Sequence, residues 1–232
     1  MNGTTMTAEV KRKILVMVIT RFSLGLIVMG ALFFLSAGTI RYLNGWLFIL
    51  GLTAPMIFTL VYLYRNDPAF LEKRMRTKEK EGTQRKYLML SLPLYLIALV
   101  IPGLDYRFGW SHVPLWLSLA ALAVMIGGYL MFVLVMNQNR YASRVVEIQE
   151  GQKLIDTGLY SVVRHPMYLA TVVLYLSASL VLGSYYSLIP MAIFLSTLVI
   201  RISNEEKVLL AGLPGYAGYV NRVKYRLIPL VW

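Results

Sequence analysis

Four short stretches of this 232-residue chain hold most of the side chains that could do chemistry. The first is Arg164-His165-Pro166, directly before a long apolar run. Proline suits the first position of a helix, where its missing N–H leaves nothing unpaired. Pro166 is therefore expected to start a helix with His165 at its cap. The unpaired N–H groups of such a helix end suit an anion, and the Arg164 guanidinium beside them adds a formal charge. The structural alternative has Arg164 in lipid headgroups and His165 only capping. The second stretch is Arg201-Ile-Ser-Asn-Glu205-Glu206, two adjacent carboxylates in a chain with only 11 acids. On a helix Arg201 can reach Glu205 at i,i+4. Glu206 lies about 100° further round and needs another partner. The pair is either a solvated helix end or holds an inward carboxylate that binds a cation. In the third stretch, Gly215 to Pro229, Tyr216, Tyr219 and Arg222 share one helical face, a composition that also suits a helix lying on a membrane. In the fourth, residues 139–149 read as a short interfacial strand or turn, and Gly158 marks a tight turn before Tyr160.

The elements that must position these residues are apolar. Hydrophobic residues make up 58% of the chain, against about 45–50% in a soluble domain. They fall into blocks of about 20 residues, enough to cross a hydrocarbon core of about 30 Å. The blocks lie at residues 14–36, 43–64, 87–103 and 113–136. A fifth stretch, Met167 to Ile200, is too long for one span, and Gly183-Ser184 near its middle is a turn signal. It is expected to form a helical hairpin with arms 167–182 and 185–203. The predicted fold class is an all-α integral membrane protein of about four transmembrane helices plus a C-terminal helical hairpin. Lys11, Arg12 and Lys13 precede an apolar run that continues to about Ala37, too long for the h-region of a signal peptide. With no cysteine, the chain offers no disulfide, thiolate nucleophile or cysteine zinc site.

The net charge of +12 would suit nucleic acid, but its placement argues otherwise. If every block crosses, four basic regions share one side: the N-terminus, loop 65–86, segment 137–166 and tail 201–232. Only Arg41 and Arg107 lie on the other. The positive-inside rule then puts both termini in the cytoplasm; the membrane expected is the plasma (inner) membrane if the source is a prokaryote. No nucleic-acid-binding module accompanies the charge. His112 and His165 fall on opposite sides without metal-site spacing, so no metal is expected.

The hairpin brings Arg164-His165 and Glu205-Glu206 to one membrane face. One end offers positive groups and the other negative, which fits a zwitterion carrying a carboxylate and an ammonium. Tyr160, Tyr168 and Tyr216 offer faces for a planar ring. An amino acid joined to a planar base is the ligand such a pocket suggests.

The ordered motifs resemble a known family. Gly158-Leu159-Tyr160, Arg164-His165-Pro166-x-Tyr168, an apolar hairpin, Arg201-x-x-x-Glu205-Glu206, Gly215-Tyr216-x-x-Tyr219 and Arg226-Leu227-Ile228-Pro229 are similar to the isoprenylcysteine carboxyl methyltransferase family. That family belongs to a wider set that includes phospholipid N-methyltransferases. The resemblance covers about residues 137–232. It implies S-adenosyl-L-methionine as cofactor, in a cytoplasmic pocket without a Rossmann domain. It implies that Arg164, His165, Pro166, Tyr168 and Tyr216 border the cofactor, with Gly158 and Tyr160 on the approach loop and Gln149 before the turn. Glu205 or Glu206 would hold the cofactor's amino group. Arg201, Arg222 and Arg226 would hold a carboxylate, of cofactor or substrate, so that Arg201, Arg222 and Glu206 are the catalytic candidates. The implied acceptor is a lipid or a prenylated small molecule or peptide, entering from the bilayer. Residues 1–112 would then be helical support with the basic loop 65–86, and residues 113–232 the methyltransferase core. Alternatives are a phospholipid or small-amphiphile N-methyltransferase, an NADPH-dependent sterol-type membrane reductase, and a non-enzymatic membrane protein.

Overall fold

A chain that crosses hydrocarbon must pair its backbone polar groups within each segment, so apolar runs of this length become helices. The computed structural model describes residues 8–74, 82–141 and 148–232, and among these every regular element is helical. In order they are α1 (Ala8–Ala37), α2 (Leu43–Asn66), α3 (Pro68–Arg74), α4 (Gly82–Phe108), α5 (Leu115–Gln138), a 3-10 turn (Gly158–Ser161), α6 (Pro166–Val181), α7 (Leu188–Ser196), α8 (Leu198–Gly212) and α9 (Tyr216–Arg222). Among the described residues five helical segments are long and apolar enough to cross a membrane: α1, α2, α4, α5 and α7 together with α8. The 16-residue α6 is shorter. Exposed apolar side chains such as Leu35 (77%), Phe58 (73%) and Trp116 (69%) lie on these helices. In water such a surface would drive association, and in a bilayer it is the lipid face. The protein is a multi-pass membrane protein.

The four N-terminal blocks match α1, α2, α4 and α5 to within a few residues at most ends. The hairpin's second arm differs. It begins at Leu188 and reaches Gly212 rather than residue 203. It is also broken at Thr197, whose hydroxyl donates to the Phe194 carbonyl (2.5 Å) while its N–H bonds the same oxygen (3.1 Å). A threonine hydroxyl competing for a helix carbonyl is what loosens the ladder. Arg201, Glu205 and Glu206 therefore sit inside a helix, not at its end. Arg76, Lys78, Lys80 and Arg144, and most of the suggested strand or turn after Tyr141, lie outside the described residues.

Close approach of backbones holds the bundle. A Cβ on Gly128 of α5 would stand 3.0 Å from the Leu174 nitrogen of α6, and one on Gly103 of α4 would overlap Ser36 of α1 at 1.8 Å. Small residues at such crossings are how membrane helices associate without a hydrophobic drive. One buried cluster joins α1, α2, α5 and α6 around Phe33 and Phe48, and a second joins α4, α7 and α8 around Met191 and Ile202.

The hairpin turn is pinned at the end of the bundle away from the basic regions. Buried Asp105 of α4 accepts from the N–H and hydroxyl of Ser111 (both 2.6 Å) and from the Ser184 hydroxyl. Asn44 of α2 donates to the Val181 carbonyl (2.8 Å) and to Ser118 (3.0 Å), and Tyr42 donates to the Leu182 carbonyl. Gly183 has φ +78°, a left-handed conformation that glycine adopts at least cost. These contacts fix the far ends of α6 and α7, and so the register in which their other ends meet.

Candidate active site

Pro166 is the first residue of α6 and His165 its cap, as the sequence predicts. The cap N–H groups are used by the chain itself. Arg164 N–H donates to the Tyr225 carbonyl and His165 N–H to the Arg226 carbonyl, both at 2.9 Å. These bonds lay the segment after α9 alongside the start of α6.

Side chains then converge from α6, α8 and that segment. Arg164 Nε donates to Glu206 Oε1 at 2.6 Å, with both side chains about 5–6% exposed. Arg164 also donates through Nη1 to the carbonyls of Val223 (2.7 Å) and Lys224 (3.0 Å). Arg164 thus points inward, and the headgroup alternative does not hold. His165 Nε2 lies 3.3 Å from the same Glu206 oxygen, and Arg226 Nε reaches Glu206 Oε2 at 2.8 Å. The Arg226 guanidinium lies 5.2 Å above the Trp232 ring. Glu206 is therefore an inward carboxylate, not a solvated helix end, and the cations it meets are the chain's own. A buried ion stays in the interior only with such pairing.

Glu205 belongs to a second network. Tyr168 donates its hydroxyl proton to Glu205 Oε2 (2.6 Å) and accepts from Arg201 Nε (2.7 Å). Arg201 and Glu205 thus meet through the Tyr168 hydroxyl. The Tyr168 ring stands 5.7 Å from His165, so the two networks adjoin. Among the described residues Glu205 Oε1 has no partner. The Tyr216 hydroxyl is buried and has no hydrogen bond. Burial, then Glu206 and Glu205, push the Tyr216 phenol well above its ordinary range. A buried hydroxyl without a partner is costly, and it marks a place where a ligand group can complete the bonding.

The remaining candidates lie around this centre. Tyr219, beside Tyr216 on α9, donates to the Tyr160 carbonyl at 2.7 Å. Asn139 donates to the Tyr160 hydroxyl at 3.0 Å. Burial pushes that phenol up to about 12, partly offset by the Asn139 bond. Gly158 has φ +56°, and its missing Cβ leaves room for the Gln138 amide, which would stand 2.2 Å away. Gln149 closes its own loop, donating to the Tyr141 carbonyl at 2.7 Å. Arg222 leaves the face of Tyr216 and Tyr219 and pairs with exposed Asp156 at 2.7 Å. Arg164, His165, Tyr168, Arg201, Glu205, Glu206 and Tyr216 are thus brought together, whereas Gln149 and Arg222 serve the surrounding loop. Gln138 carried no signal in the sequence beyond ending an apolar run, and Asn139 none beyond opening the fourth stretch.

Apolar helices that close over buried ion pairs at one end define a membrane protein with a polar centre near its surface. Residues 119–211 match the model of the Isoprenylcysteine carboxyl methyltransferase (ICMT) family, and this match supports membership of that family. The family implies a methyltransferase. The matched segment runs from α5 almost to the end of α8 and contains Arg164, His165, Tyr168, Arg201 and both glutamates, while Arg226 of the Glu206 network, Tyr216 and Arg222 lie beyond it. No curated protein matches the chain.

Proposed function

We propose that the protein is an S-adenosylmethionine-dependent methyltransferase that esterifies the carboxylate of a lipid-embedded, isoprenylcysteine-like acceptor at the cytoplasmic membrane face. What carries this is the split between two adjacent carboxylates. Glu206 is bound on both oxygens by Arg164, His165 and Arg226, while Glu205 Oε1 and the Tyr216 hydroxyl have no partner among the described residues. One carboxylate oxygen and one hydroxyl without partners, next to the networks that hold His165, suit the amino-acid end of S-adenosylmethionine. When bound, that cofactor supplies a methyl group on a positively charged sulfur.

In this reading Glu205 holds the ammonium. Glu206 with Arg164 and Arg226 is the rigid frame that positions His165 and α6. Tyr168 keeps Glu205 in place, and Pro166 and Tyr160 form the walls beside it. Gly158 and Gln149 shape the loop over the site. Arg201 orients the acceptor carboxylate, and Arg222 does so if the acceptor displaces Asp156. A carboxylate is already ionised at neutral pH and needs no base. The work left to the protein is alignment and exclusion of water. The basic regions put both termini in the cytoplasm. Residues 113–232 carry the chemistry and residues 1–112 support it.

The test is transfer of a labelled methyl group to an N-acetylated, S-farnesylated cysteine, with its carboxamide as control, by purified protein in nanodiscs. Base-labile label on the acid alone supports the proposal. Label on the amine of phosphatidylethanolamine, or on no acceptor, contradicts the assigned acceptor.

A further inference from the structure

The outer face of the bundle carries a second feature, unrelated to the ion-pair networks. A groove of about 210 Å³ runs between α2 and α5, lined among others by Pro55, Phe58 and Tyr62 on one side and Tyr129, Val133 and Asn137 on the other. Such a volume would take roughly seven waters at about 30 Å³ each. The walls do not invite them, because the Thr59 hydroxyl in the groove already donates to the Pro55 carbonyl at 2.9 Å. Phe58 and Leu130 are more than half exposed at the groove's rim, on helices that cross the membrane. Hydrocarbon is the medium that fills such a space.

The C-terminal ends of α2 and α5 stand at the groove's mouth. Tyr62 is followed at i+3 by Arg65, in the last turn of α2. Arg65 is exposed and has no partner among the described residues. Asn137 lies in the last turn of α5, and Arg140 follows two residues past the helix end; its guanidinium pairs with Asp67, which directly follows α2, and lies 5.1 Å over the Phe70 ring, and its side chain remains 53% exposed. Asp67 neutralises one of these two arginines, so the mouth keeps a net positive charge.

We propose that this groove binds one anionic phospholipid, with an acyl chain along α2 and α5 and its phosphate between Arg65 and Arg140. An apolar channel ending at a cationic rim matches an anionic headgroup above a chain. The tyrosine at the rim, Tyr62, is the residue type found at headgroup level. Two arginines suit a phosphate because the guanidinium presents paired donors.

The full chain, reconstituted in nanodiscs of equal parts phosphatidylglycerol and phosphatidylcholine, is released into detergent and retained lipid is counted by native mass spectrometry. The expected result is one retained phosphatidylglycerol per chain. Val133→Trp, which fills the groove, should reduce retention at least tenfold, and Arg65→Gln should remove most of the preference for phosphatidylglycerol. Should Val133→Trp fail to fold, Leu130→Trp at the half-exposed rim asks the same question. Equal retention of both lipids, unchanged retention in the tryptophan variant, or displacement of the lipid by one equivalent of a farnesylated cysteine would overturn the proposal. So would protection of the groove by a second copy of the chain. None of these outcomes depends on methyl transfer.

Discussion

At the scale of single residues, the two adjacent glutamates are predicted to behave differently. Glu206 is buried between guanidinium groups, and removing one partner of a buried ion pair costs about 3–5 kcal/mol. Glu206→Gln should therefore lower the melting temperature sharply in detergent. Glu205→Gln keeps the Tyr168 contact in range and should melt close to wild type while losing cofactor affinity. Equal melting of the two variants would contradict the division of roles. Tyr216→Phe gives a cleaner contrast. Its hydroxyl is buried without a partner, and an unsatisfied buried group costs about 1–3 kcal/mol. The variant should be as stable as wild type or more so, yet bind S-adenosylhomocysteine at least several-fold more weakly. Loss of both stability and affinity would mean that the hydroxyl has a structural partner. The residue types were legible in the sequence: Arg164, His165, Tyr168 and the glutamate pair stand out as polar groups beside apolar runs. Which glutamate is free was not. That follows from Arg226 reaching Glu206, and Arg226 arrives there only because the tail pairs with the backbone of Arg164 and His165.

At the scale of elements, the hairpin is the device that brings α6 and α8 together, and its turn is tied to α4 and α2 at the far end of the bundle. Asp105→Ala would strip partners from the buried Ser184 hydroxyl and from both donors of Ser111. A loss of about 3 kcal/mol is expected, with activity falling in step because the register of α6 against α8 loosens. Unchanged thermal unfolding would show that the turn is held by packing alone. The helices themselves were readable because length and hydropathy decide them. The limits of the second hairpin arm were not, since polar Arg201, Glu205 and Glu206 suggested an exit from the membrane. Their charges are instead absorbed by partners from α6 and the tail, so the helix runs on to Gly212. Asp105 was hidden for the converse reason. It lies just past the apolar run and reads as an ordinary loop acid until its serine partners are seen.

At the scale of the whole molecule, pH separates the stability of the fold from its chemistry. The Tyr160 phenol is raised from 10.0 to about 12 by burial. Tyr216 and Tyr219 are raised as well, chiefly by burial. Below pH 10 these groups are neutral folded and unfolded, and they contribute no slope. Above it the unfolded chain releases protons that the folded chain keeps. Stability should therefore fall as pH rises from 10 to about 12, by up to about 1.4 kcal/mol per unit for each phenol. Tyr160→Phe should make that slope shallower by one phenol's share, and an unchanged slope would contradict the assignment. Multi-pass architecture was legible from the length and spacing of the apolar blocks, and the resemblance to a methyltransferase family from the order of a few motifs. What composition could not give was the closed pairing of opposite charges. The most direct test of the central claim is calorimetric titration of the purified protein with S-adenosylhomocysteine and, separately, with NADPH. Saturable binding of S-adenosylhomocysteine alone, lost in Glu205→Gln that still folds, is the predicted result. Binding of NADPH alone, or of neither ligand to folded protein, would contradict it.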